Sequence, residues 1–117
     1  MYKIVVTGGS GLIGAALVSK LKDEFIVYSI DKKKIDNNNL YNNVNYFNLN
    51  LSSKGCISTI ESLKPDIIIH CAAIIPGNNI NNESIREINS RIDENIFLIS
   101  SRLNCYLIFM SSTIVYG

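Results

Sequence analysis

Two features near the start of the chain could hold a phosphate and a sugar: the glycines Gly8-x-x-Gly11-x-x-Gly14, and Asp31, twenty positions beyond Gly11. The apolar run Ile4-Val5-Val6 leads into the glycines, and an apolar, helix-compatible segment follows them. Strand, glycine turn and helix is the order in which the amides of a helix N-terminus are offered to a phosphate. In that reading Gly8 permits a sharp turn out of the strand, and Gly11, lacking a Cβ, lets a pyrophosphate approach the amides. Gly14 then allows close packing of helix on strand. The plain alternative is a glycine-rich loop that only reverses the chain. Asp31 weighs on the choice. A carboxylate ending the second strand can accept both hydroxyls of an adenosine ribose and would repel a 2′-phosphate, which favours NAD over NADP. Otherwise Asp31 merely starts a turn, and Lys32 beside it leaves NADP open.

These residues need elements to bring them together. Apolar runs predict strands over 3–7, 25–30, 44–49, 66–70 and 105–110. A first helix follows the glycines, with Ile13, Ala16, Leu17 and Leu21 on its apolar stripe. A short second helix carries Ile57, Ile60 and Leu63, with Ser52 or Ser53 as its cap and Pro65 closing it. The third is the clearest: Ile85, Ile88, Ile92, Ile96, Ile99 and Leu103 recur at helical spacing, and Ser84 and Glu87 have capping-box spacing at its start. Residues 32–43 and 71–81 read as loops, so the connection between strands two and three lacks a helix. The alternation calls for an α/β fold, a doubly wound parallel sheet in the order 3-2-1-4-5. Ligands of such sheets lie at the carboxyl ends of the strands, near the switch between strands one and four. That edge gathers Gly8 to Gly14, Asp31, the segment after His70, and Ser111-Ser112-Thr113.

Composition narrows the classes. A chain of 117 residues, 47% hydrophobic and 18% charged, suits one globular domain. Its net charge of +1 offers no electrostatic case for nucleic acid or an anionic membrane. Its longest apolar runs fall far below the roughly 18 residues of a membrane helix. Cys56, Cys71 and Cys105 are odd in number and form no spaced pair, so neither a disulfide framework nor a metal is expected. With no signal peptide visible, a reducing cytoplasm fits.

Three segments together resemble a known family. Thr7-Gly8-Gly9-Ser10-Gly11-Leu12-Ile13-Gly14, His70-Cys71-Ala72-Ala73 and Ser111-Ser112-Thr113-Ile114-Val115-Tyr116-Gly117 look like the extended short-chain dehydrogenase/reductases. More narrowly they resemble the NAD-dependent sugar-nucleotide epimerase/dehydratase family. The resemblance implies a Rossmann domain whose NAD transiently oxidises a nucleotide sugar. It implies that Gly8, Gly11, Leu12, Ile13 and Gly14 hold the pyrophosphate, with Ser10 alongside, and that Asp31 and Lys32 lie at the ribose. Asn50 stands where the family usually has an adenine-binding aspartate, with Leu51 beside it; an amide oxygen still accepts that hydrogen bond. Cys71, Ala72 and Ala73 would line the ribose and nicotinamide side, together with Ser111. His70 is tempting as a general base, but its family counterpart is not one, and a structural role is favoured. The family helix pattern Asn-Val-x-Gly-Thr-x-Asn is matched over residues 89–95 only at Asn89 and Asn95. Ser112 matches the residue that hydrogen-bonds the sugar hydroxyl. Thr113 and Ile114 replace the Asp-Glu of the dehydratase branch, which favours epimerase or simple redox chemistry.

The family's proton-transfer pair, Tyr-x-x-x-Lys on the helix after the fifth strand, has no counterpart here. Tyr28-Ser29-Ile30-Asp31-Lys32 has the spacing, yet on an extended strand four residues span roughly 13 Å and cannot form the dyad. The expected domain is therefore an NAD-binding Rossmann unit over 1–117, truncated after the fifth strand, from a longer enzyme that could form a homodimer. The competing reading is a non-catalytic NAD-binding module or sensor. Truncation would also leave the outer edge of the fifth strand and its apolar side chains uncovered, favouring association.

Overall fold

The computed structural model describes residues 1–33, 40–72 and 82–110. In chain order they form β1 (Lys3–Thr7), α1 (Leu12–Leu21), β2 (Ile26–Asp31), β3 (Val44–Asn48), α2 (Gly55–Leu63), β4 (Ile67–His70), α3 (Asn82–Leu103) and β5 (Tyr106–Phe109). The strands make one five-stranded sheet in the order β3-β2-β1-β4-β5, and every neighbouring pair is parallel. This is the doubly wound arrangement that the strand–helix alternation predicts. Strand β2 ends at Asp31 itself, and among the described residues no helix joins it to β3.

Both faces of the sheet are covered, which is why its strands are apolar at successive positions. On one face Val5, Ile30 and Ile68 meet Ile60 of α2 and Ile96 and Ile99 of α3. On the other face Ile4, Val6, Val27 and Ile69 meet Val18 of α1. The apolar stripe of α3 is the expected one, with Ile85, Ile92, Ile96 and Ile99 buried.

Helix α1 is turned differently from the expectation. It buries Gly14 and Val18 and half-buries Leu17 and Leu21, whereas Ile13 and Ala16 face outward. The spacing 14-17-18-21 is a regular helical stripe, but its first member is a glycine. A count of apolar side chains therefore passes over it. The caps also differ. Helix α3 begins at Asn82, so Ser84 lies inside its first turn instead of at its N-cap. Helix α2 is preceded by Lys54 with no side-chain cap, while Ser53 Oγ accepts the Gly55 N–H at 3.1 Å. Lys64, left-handed at φ 51°, and then Pro65 end α2 as anticipated.

Strand β5 is the outermost strand on its side, and its apolar side chains are largely uncovered. Tyr106 is 79% exposed, and Ile108 and Phe109 are about half exposed. Phe97 of α3, also about half exposed, stacks on Phe109 with ring centroids 6.0 Å apart. No helix of the described residues is long and apolar enough to cross a membrane.

Candidate dinucleotide site

Parallel strands put all their carboxyl ends on one edge, and the register says which residues share it. Thr7 pairs with Ile30 and His70, and His70 with Phe109. One position further on, Gly8, Asp31, Cys71 and Met110 form the next rung. The Gly8 N–H bonds the Ile30 carbonyl at 2.7 Å, Cys71 N–H that of Thr7 at 3.1 Å, and Met110 N–H that of His70 at 3.0 Å. Strand β1 sits between β2 and β4, so the direction of winding switches beside the glycine turn.

The turn itself is tightly built. Gly8 adopts φ +72°, a left-handed conformation that side chains resist, and a Cβ there would lie 2.9 Å from the Ala72 nitrogen. A Cβ on Gly14 would overlap the Gly8 carbonyl, with the carbonyl carbon at 2.8 Å. Gly14 thus seats the helix on the turn as much as on the strand. A Cβ on Gly9 would run into Ser29 Oγ, a buried hydroxyl with no hydrogen-bond partner among the described residues, so a small residue at 29 makes room for the turn. Gly11 is the exception. Among the described residues a Cβ there would meet one atom, the Gly8 carbonyl oxygen at 3.3 Å, so those residues leave that side open.

Gly11 is also the N-cap of α1, and the first helical bond runs from the Ala15 N–H to its carbonyl at 2.8 Å. The amides of Leu12, Ile13 and Gly14 precede that bond and have no intrahelical acceptor. The first turn of α1 carries no acidic side chain of its own, so its amides are not neutralised from within the helix. Leu12 is 91% exposed, its side chain pointing away from the body of the domain. These are the features an anion-binding turn requires.

Asp31 meets the turn directly. Its Oδ2 accepts both the Ser10 N–H at 3.0 Å and the Ser10 hydroxyl, and its Oδ1 accepts the Lys33 N–H at 3.0 Å. The carboxylate is therefore held between the glycine turn and its own strand end, while Lys32 is exposed. Beyond β3, Asn50 Oδ1 accepts the Ser52 N–H at 3.1 Å and the Ser52 hydroxyl at 2.7 Å, so its oxygen already has two donors. Leu51 is buried in the core at 4% exposure, and its carbonyl accepts a buried hydrogen bond from Asn95 Nδ2. Ala73, Ser111, Ser112, Thr113 and Ile114 lie outside the described residues.

At the centre of the edge lies a group of polar contacts that sequence reasoning did not assemble. Thr7 Oγ1 accepts the N–H groups of Cys71 at 3.0 Å and Ala72 at 3.2 Å, and stands 2.6 Å from His70 Nδ1. His70 Nε2 lies 2.9 Å from Asp93 Oδ1 on α3. The imidazole is thus enclosed and paired, in keeping with a structural role. Asn95, known from sequence only as a motif match, donates from Nδ2 to the carbonyls of Leu51 at 2.8 Å and Ser53 at 3.3 Å, pinning the turn after β3. The signal for both was present in residues 89–95, but nothing local shows what they face. Burial pushes the Cys71 thiol up, so it stays protonated and is no nucleophile.

Burial pushes His70 below its ordinary 6.5, and the hydrogen bond and charge of Asp93 pull it back only in part. The unfolded chain then binds more protons than the folded one between the folded pKa and 6.5, so stability rises with pH across that window. Urea midpoints are expected to be level near pH 7.5 and to fall as pH drops through 6.5. A stability that instead rises on acidification through this window would contradict a buried, neutral imidazole.

Strand order, switch point and glycine turn make this a Rossmann-like α/β domain with its ligand edge at the ends of β1, β2 and β4. The sequence matches the NAD dependent epimerase/dehydratase family over residues 4–117, and the chain belongs to that family. No curated protein matches it. Among solved structures it is similar to the ADP-L-glycero-D-manno-heptose-6-epimerase of Helicobacter pylori, at 23% identity and TM-score 0.85, covering 99% of this chain and 41% of that one. The Bordetella bronchiseptica enzyme WbmG in complex with NAD gives 18% identity and TM-score 0.83, over 99% and 39% of the two chains. A UDP-glucose 4-epimerase of Thermotoga maritima, solved with UDP-glucose, gives 25% identity and TM-score 0.71, over 92% and 37%. The chain thus spans about two-fifths of the length of these relatives.

Proposed function

We propose that the chain is the NAD-binding N-terminal part of an epimerase/dehydratase-type oxidoreductase that acts on a nucleotide sugar. The observation that carries this reading is the meeting of the glycine turn with Asp31: Ser10 donates to the carboxylate at the edge beside the β1/β4 switch. The open side of Gly11 and the amides of Leu12, Ile13 and Gly14 fit a pyrophosphate. Asp31 fits the ribose, with Asn50 and the Leu51 backbone at the adenine end. Cys71 and Ala72 fit the nicotinamide side with small side chains, and the sequence continues with Ala73. NAD, when bound, supplies a hydride acceptor that oxidises a sugar hydroxyl and then returns the hydride. Ser111 and Ser112 follow Met110 at the end of β5, where Ser112 would hydrogen-bond that hydroxyl.

Proton transfer would require a residue that the described part of this edge does not supply. Tyr28, the one tyrosine with a lysine four positions on, lies within β2 and packs toward Phe47, with ring centroids 6.2 Å apart. The full reaction is accordingly proposed for a chain of the relatives' length, and cofactor binding for the residues in hand. The free thiols Cys56, Cys71 and Cys105 suit a cytoplasmic setting.

Calorimetric titration of the 117-residue chain tests the reading. The expected result is one saturable NAD site with weaker NADP binding, because the Asp31 carboxylate repels a 2′-phosphate. A sample that is folded by circular dichroism yet takes up neither cofactor would refute it.

A further inference from the structure

We propose that Thr7, His70 and Asp93 form a positioning relay that holds the Cys71 and Ala72 amides at the cofactor edge, and that it does so only while His70 Nδ1 carries no proton. Its consequence for cofactor binding rests on the function proposed above; its consequence for the protein's own backbone does not.

The argument is one of donors and acceptors. A threonine hydroxyl has two lone pairs and one proton. Thr7 Oγ1 already accepts two N–H groups, from Cys71 and Ala72. Its single proton is therefore free to go to His70 Nδ1, 2.6 Å away. That makes Nδ1 an acceptor and puts the ring proton on Nε2, from which it is donated to Asp93 Oδ1 at 2.9 Å. The tautomer follows from the valence of one oxygen. Protonating Nδ1 would bring a third N–H donor to an oxygen with two lone pairs. The Cys71 N–H also reaches the Thr7 carbonyl at 3.1 Å and can fall back on it, so the Ala72 amide, held by Thr7 Oγ1 at 3.2 Å, is the one that would have to move.

Any such movement reaches the glycine turn. The Ala72 backbone lies so close to Gly8 that a Cβ on Gly8 would come within 2.9 Å of its nitrogen. Among the described residues, the other groups in contact with or next to His70 are uncharged. On β5 the Phe109 ring lies 5.4 Å away, on β1 there is the neutral Thr7, and along β4 the next residue is Cys71, whose thiol burial keeps protonated. Asp93 on α3 is the one charged group in hydrogen-bond contact with it among the described residues. Asp93 also occupies the position where the family pattern has threonine. The carboxylate at the far end of the relay is therefore a departure of this chain from that pattern.

His70 is the only histidine, so ring nitrogen NMR of the 117-residue chain reads it alone. At pH 8 the expected spectrum is the Nε2–H tautomer. On acidification the amide signals of Gly8, Cys71 and Ala72 should shift with the ring's own midpoint, while Ile99 in the core stays put. The Nδ1–H tautomer, amides that ignore the ring, or all amides moving together in global unfolding would each overturn the relay. Asp93→Asn keeps an oxygen to accept Nε2–H but removes the charge. It should move the midpoint of ring and amides together to lower pH, and amides that keep the wild-type midpoint while the ring's moves would overturn the relay. NAD affinity, measured calorimetrically, should weaken at least several-fold across the same midpoint and shift with it in Asp93→Asn. Affinity that is level through the ring's titration would overturn the link to binding. A chain that binds no NAD at any pH, yet shows the ring–amide co-titration, would refute the proposed function and leave the relay standing.

Discussion

Gly14→Ala is expected to cost about 3 kcal/mol of stability, the upper end for overpacking a well-filled site. The reason is positional. In an ordinary helix interior, alanine is better than glycine by roughly 1 kcal/mol, because it loses less backbone entropy. At position 14 the new methyl would overlap the Gly8 carbonyl and approach the Gly9 Cα to 3.0 Å, all backbone that no rotamer change can clear. Either α1 lifts off the turn or the turn opens, and both spoil the amides of Leu12 and Ile13 as an anion site. A domain of this size has about 5–15 kcal/mol in total, so the loss should be plain in a urea melt. Gly55→Ala is the matched control: its Cβ would meet only Ser53 Oγ, at 3.5 Å, and a small gain is expected. Equal midpoints for the two variants would show that Gly14 is not what seats α1 on the turn.

Asp31→Ala is expected to weaken NAD binding by roughly 10- to 100-fold, the range for losing charge-assisted hydrogen bonds worth about 1.5–3 kcal/mol. The effect has two sources. The ribose loses its acceptor, and the Ser10 N–H and hydroxyl lose the carboxylate that ties the glycine turn to β2. NADP should lose less than NAD, or gain, because the repulsion of its 2′-phosphate disappears with the charge. Ser10→Ala separates the sources: it breaks the side-chain tie but keeps the carboxylate for the ribose, and should cost NAD affinity less. Calorimetry with both cofactors checks this, and an unchanged NAD affinity in Asp31→Ala would remove Asp31 from the site.

Much of this molecule is legible without coordinates because the signals are local. Ile4-Val5-Val6 and Ile67-Ile68-Ile69 are buried strands by their unbroken apolar runs, and α3 reveals its inner face through isoleucines at helical spacing. The positive φ of Gly8 and the strand-end place of Asp31 follow from the order of strand, turn and helix. Parallel order 3-2-1-4-5 then places their carboxyl ends on one edge.

Tertiary structure decided what depends on partners distant in sequence. It turned α1 so that Val18 is buried beside Gly14, the close contact its spacing anticipates, while Ile13 and Ala16 face outward. It brought Asp93 to His70 across 23 positions and Asn95 to the Leu51 carbonyl across 44. It tied Asn50 Oδ1 to Ser52 and Asp31 to Ser10, so that both groups have partners within the chain before any cofactor is considered. A residue's type and spacing state what it can donate or accept. Only the pairing of β1 with β4 brings Thr7 Oγ1 to the Cys71 and Ala72 amides and to His70 Nδ1, and only the placement of α3 brings Asp93 to the other side of that ring.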